Sequence, residues 1–276
     1  MSLAAKLGIG LGAVVFVAGM ACAPAALAQA PASGTPTAGQ ESVNAMQNQL
    51  HYLTDVQRQS SVDPSEQNAY KKFYIVSPQD PDQKIKLGTE FFKKYPTSPF
   101  TEGVDVGLTN AYLAKQDWQN FYAYANKSLA LNPDEVDVLT TVGWVIPHQY
   151  DPNSAGAAQQ LQTAETDEKH ALDLLSKMTK PKSMSEQEFA AMRTQKTEQA
   201  HSALGLIYFR RGDYANSASE LQQSTQAAAS PDQTDLFVLG VDMQNLNRPS
   251  DAKAAFTRCG KIPGALQTRC QQSAQK

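Results

Sequence analysis

The chain is poor in the residues that most often carry chemistry. It has three cysteines and four histidines in 276 residues. The cysteines are too few for a disulfide-built scaffold, and none stands in C-x-x-C. None of His51, His148, His170 and His201 belongs to H-E-x-x-H, and no G-x-S-x-G occurs. Asp167, Glu168 and His170 share one stretch of helical character. A metal centre there needs ligands from elsewhere, and a solvated charged face accounts for all three. Gly8 to Gly12 is glycine-rich but opens no helix of a βαβ unit, which excludes a phosphate cradle. No enzyme, cofactor or metal site is therefore expected. Charge of one sign is scarce too. The formal net charge is -3 without long runs of either sign, which leaves no case for nucleic acid. Strand signals are also weak: no sustained alternation, no Asn-Gly turn, few β-branched clusters.

The N-terminus is the clearest segment that is there. Lys6 is the only charge before Glu41, and Leu7 to Ala21 is apolar. Small residues follow, ending in Ala26-Leu27-Ala28. A positive start, an apolar stretch and an A-x-A site describe a secretory signal peptide over residues 1–28. The expected location is periplasmic or secreted. Two alternatives stand. Leu7 to Ala30 carries no charge and could remain as a membrane anchor. Cys22 could carry a lipid, although Gly19-Met20-Ala21 lacks the leucine of a good lipobox. Once Cys22 leaves with the signal, Cys259 and Cys270 remain as an even pair for an oxidising compartment. They read as a structural disulfide pinning the C-terminal helix, or as a redox pair.

Residues 29–40 are small, polar and proline-containing, which predicts a flexible linker before a domain spanning 41–276. Glu41 to about Arg58 carries apolar residues at three- and four-residue intervals and predicts a helix. Beyond it, amphipathic segments alternate with short breaks: Ser77 to Pro81, Tyr95 to Pro99, Asn132 to Asp134, Arg211 to Asp213 and Ser230 to Asp232. The expected class is all-α.

The segments also repeat. Leu204-Gly205 is followed by Tyr208, and Leu239-Gly240 comes 35 residues after Leu204-Gly205. Ala252 and Phe256 follow at A-x-x-x-F spacing. Leu108 and Tyr112 share the spacing of Leu204 and Tyr208, and Val142-Gly143 comes 34 residues after Leu108. These residues resemble the tetratricopeptide repeat (TPR), a helix-turn-helix pair of about 34 residues. Glu90 to Phe100 resembles helix ends of TPR proteins from the bacterial envelope. The resemblance implies a right-handed α-solenoid, because one pair cannot bury its apolar face alone. From Val142 to Leu204 is 62 residues, where one period would be 34. Ser154 to Met178 and Ser185 to Arg210 are both helical in pattern, and Ser185 and Glu188 have capping-box spacing. A long helical hairpin insertion over about 154–210 is expected. It reads as a partner-binding arm or as a neutral elongation.

The resemblance also implies a concave groove lined by the first helix of each pair. Its residues would be Asn110, Leu113, Trp144, His148, Leu206, Phe209, Arg210, Val241, Gln244 and Asn245. Such a groove suits an extended peptide or a partner helix. The same side chains could instead pack against the N-terminal helix or the arm. Some members grip a carboxylate with a Lys, Asn and Arg clamp. Here Asn110 holds one position, but Val106 stands where the lysine would, so no clamp is expected. The function implied is a non-enzymatic scaffold that binds other proteins in the envelope, with a self-associating assembly subunit as the alternative. An enzyme would instead show a buried cluster of ionisable residues converging from both long helices.

Overall fold

The computed structural model describes residues 62–275, apart from Ser183 and Ala229. The expected signal peptide, linker and first helix, with Cys22 and His51, lie outside the described residues. Within them the chain forms eleven helices and no strand. These are α1 Pro64–Tyr74, α2 Pro81–Lys94, α3 Thr101–Ala114, α4 Trp118–Leu131, α5 Val136–His148 and α6 Ala157–Lys177. Then come α7 Glu186–Arg210, α8 Tyr214–Ala227, α9 Gln233–Asn245, α10 Pro249–Cys259 and α11 Gln267–Ser273.

The starts are written in the sequence. Asp63, Asp80, Asp117, Asp213 and Asp232 each accept a backbone N–H of the first turn they precede. A short carboxylate there satisfies an orphan donor and faces the positive helix end. Pro81 and Pro249 stand in the first turn, where a missing N–H costs nothing. Ser185 and Glu188 form the capping box that opens α7.

Three of the turns share one geometry. Gln116, Gly212 and Asn247 have φ of 55°, 76° and 56°. Each is followed by a backbone N–H reaching back five residues: Asp117 to Tyr112, Asp213 to Tyr208, Arg248 to Met243. This is the Schellman closure, with a left-handed residue after the last helical one. It joins α3 to α4, α7 to α8 and α9 to α10 in the same way. The connection from α5 to α6 departs from it. That connection runs over residues 149–156 and ends on left-handed Gly156.

Each helix packs against the next in sequence, and α3, α5, α7 and α9 also pack against one another in that order. The core runs along the chain in consecutive clusters. Tyr70, Phe73, Phe91, Phe100 and Leu108 fill the first, where the Tyr70 and Phe100 rings stack at 4.3 Å. Phe121, Val138, Val142, Val145 and Leu161 fill the second. Leu221, Leu236, Phe237, Met243 and Phe256 fill the third. Burying one such side chain contributes about 1.5–3 kcal/mol.

The two long helices are 21 and 25 residues. The first starts at Ala157, three residues after Ser154, because Gly156 is left-handed and cannot be helical. They are not a unit set apart from the rest: α6 packs on α5, and α7 on α8 and α5, as well as on each other. Lys196 of α7 meets Asp137 near the start of α5. The residues of α7 before it therefore run past the end of α5. Met184, Phe189 and Met192, with Met178, make a small separate core there.

Candidate functional site

The side chains at the ends of α5 and α7 come together. The Trp144 and His148 rings lie 4.0 Å apart, and His148 Nδ1 is 2.7 Å from the Trp144 carbonyl. A carbonyl only accepts, so Nδ1 carries the proton and Nε2 is left as an acceptor. Pro147 sits inside the same helix, and its carbonyl accepts from Arg210 Nε at 2.9 Å. The guanidinium also lies 5.9 Å from the Tyr150 ring. All four side chains are half-buried. Burial holds the His148 imidazole below its ordinary value, against the Trp144 carbonyl bond and the Asp232 carboxylate, which raise it; the Arg210 charge adds a smaller lowering. No carboxylate among the described residues pairs with Arg210. The cluster is therefore a cation beside the Tyr150 ring, next to the Trp144–His148 ring pair.

The other expected groove residues fall into three groups. Leu206 is 4% exposed and belongs to the core between α7 and α9, so it is packing rather than surface. Phe209 and Val241 are half-buried against that core, and Leu113 against the cluster that also holds Trp144. Asn110, Gln244 and Asn245 are exposed, and Asn245 donates to the Val241 carbonyl. Asp167 and His170 are not joined: His170 Nε2 is 2.7 Å from Asp134 Oδ1 instead. Among the described residues no group of three or more His, Cys, Asp or Glu could hold a metal. Cys259 and Cys270 are disulfide-bonded, with Cα atoms 5.7 Å apart and both side chains buried.

Sequence reasoning missed a second cluster, where α5, α6 and α7 meet. Glu168 of α6 is 0% exposed, and neither carboxyl oxygen has a hydrogen-bond partner. It lies flat on Gly143 of α5: a Cβ there would fall 2.3 Å from Glu168 Oε1. Lys196 of α7 is 6% exposed and pairs with Asp137 of α5 at 2.9 Å. Burial pushes the Glu168 carboxyl well above the usual range, with Lys196 opposing and Asp167 adding to the rise. Nearby, Glu165 behaves oppositely. Burial alone would raise it, but hydrogen bonds from Lys169, Arg211 and Tyr208 bring it down to about 2.

This is a buried ionisable cluster drawn from both long helices, the feature an enzyme in this region would need. Its central carboxyl has no exposed surface, so no substrate could touch it in this conformation. No protein-family model matches the chain, and no curated protein or solved structure matches it either.

Proposed function

We propose that the chain is an exported TPR-like scaffold that binds a peptide or helix of another protein along the faces of α3, α5, α7 and α9. The helices would form a right-handed solenoid of about five pairs. Support comes from the thrice-repeated Schellman turn, the 34- and 35-residue spacings, and the order in which alternate helices pack. The family assignment rests on the residues themselves.

The observation that carries the binding reading is the Trp144, His148, Tyr150 and Arg210 cluster. A half-buried guanidinium normally finds a carboxylate, and aromatic and arginine side chains dominate binding energy at interfaces. A partner segment with an acidic group over Arg210 and an apolar side chain against Trp144 would satisfy both. Export through the signal peptide would bring such a partner within the envelope. No helix among the described residues is long and apolar enough to cross a membrane.

The test is cross-linking in the envelope fraction with the wild type and a Trp144→Ala, Arg210→Gln double variant. Circular dichroism first establishes that the variant is folded. A partner captured by the wild type and lost by the variant supports the groove. The same partner captured by both refutes it and moves binding to the long helices. Capture of the chain by itself alone, with a concentration-dependent mass, favours the self-associating subunit.

A further inference from the structure

We propose that the meeting point of α5, α6 and α7 is a proton-operated latch, in which neutral Glu168 seats α6 on Gly143 and ionised Glu168 lifts it off. The latch belongs to the free protein and does not depend on a partner.

Val142-Gly143, Leu204-Gly205 and Leu239-Gly240 recur along the chain. In each, the glycine lets a side chain of the following helix press onto the backbone. Leu221 meets Gly205, and Phe256 meets Gly240, each at 2.5 Å from where a Cβ would stand. At Gly143 the side chain that arrives is Glu168. A carboxyl occupies the seat that an apolar group fills in the other two units.

That seat tolerates only one charge state. Glu168 is fully buried and both oxygens lack a partner, so a carboxylate there would be desolvated and uncompensated. The groups that face it offer no ready rescue. Lys196 of α7 is already held by Asp137 of α5. Asp167 on its own helix repels it. Asp134 is taken by His170, and Glu165 by Lys169, Arg211 and Tyr208. A protonated carboxyl carries a donor, and a carboxylate carries none.

When the proton passes to water, the charged group must reach solvent or break the Lys196–Asp137 pair. Reaching solvent takes α6 off α5. Trp144 follows Gly143 directly, so the movement reaches the aromatic cluster at the end of α5. Elsewhere in the chain the same contact is made by Leu221 and Phe256, which have no proton to lose.

Hydrogen exchange tests this on the whole chain at about pH 5 and about pH 9, with each amide corrected for its intrinsic rate. Protection of the α6 amides around 161–171 should fall at least about tenfold at the higher pH, with α4 and α10 holding theirs. In Glu168→Gln the fall should be absent, because the amide cannot ionise. If that variant does not fold, Glu168→Leu supplies the apolar seat of the other units and should be equally indifferent to pH. Gly143→Ala should leave α6 poorly protected at both values. The proposal is overturned by a wild type with equal α6 protection at both pH values. It is also overturned by an equal fall in either Glu168 variant, by a fall shared by every helix, or by a protected α6 in Gly143→Ala.

Discussion

Replacing Asp242 by asparagine should stabilise the protein at alkaline pH and leave it nearly unchanged at acid pH. Asp242 lies in α9 and is 0% exposed. Its Oδ2 accepts from Ser217 Oγ at 2.6 Å, while Oδ1 has no partner and no cation among the described residues pairs with it. Burial raises the carboxyl from 3.8 to about 8, against the lowering effect of the Ser217 bond. The native state thus holds this proton where the unfolded chain has released it. Its contribution to stability is fully present below about pH 4, declines as pH rises, and is gone above about 8. A shift of about four units corresponds to a ceiling of about 6 kcal/mol at 1.36 kcal/mol per unit. Relaxation and water entry reduce such penalties, so about 2 kcal/mol is the expected gain at pH ~9. Asparagine keeps an acceptor for Ser217 and never ionises. In thermal melts the gain should appear as roughly 4–8 °C at pH ~9, shrink as pH falls, and vanish below about pH 4. A variant no more stable than the wild type at pH ~9 would show that the carboxylate finds compensation in the folded state, and the reasoning would fail.

Two further perturbations act on α2 and on α11. Lys84 is 6% exposed, donates to the Tyr74 carbonyl and lies 4.5 Å from the Phe73 ring centroid. Burial lowers its amine to about 8, so the native state sheds the proton before the unfolded chain does, and stability rises from about pH 8 to 10.5. Lys84→Met should therefore gain about 1–2 kcal/mol at neutral pH in urea unfolding and lose that advantage above pH ~10. Reducing the Cys259–Cys270 bond should cost at most about 3 kcal/mol, because it closes a short loop. The loss should fall on α11: hydrogen exchange with and without reductant should speed up there and leave α7 unchanged.

Much of the fold was legible because it is encoded locally. Each proline- or aspartate-bearing break fell between two helices, since proline cannot continue a helix and aspartate caps the next one. Ser185 and Glu188 announced the start of α7 to the residue. The start of α6 was read three residues early. Ser154 looks like a cap, but Gly156 turns left-handed and delays the helix to Ala157. The position of the extra residues was legible while their arrangement was not. Periodicity finds two long helices, yet it says nothing about whether they stand apart or join the pairs on either side.

The site was half legible for a reason that the three glycines make plain. A repeat motif reveals what its positions hold in common, so it pointed to Trp144, His148 and Arg210 through their place in α5 and α7. It also marked Leu206, whose position turns into the core instead. It could not reveal Glu168, because that residue matters by differing from its counterparts. In sequence it stands between Asp167 and Lys169 and reads as part of a solvated charged face. Only the third dimension shows that it shares a seat with Leu221 and Phe256. A carboxyl in that seat weakens the contact that the other two units make with apolar groups. Its cost falls on one junction of the three and only when the proton is gone. That places the one titratable contact of the three at Gly143, directly before Trp144 in α5.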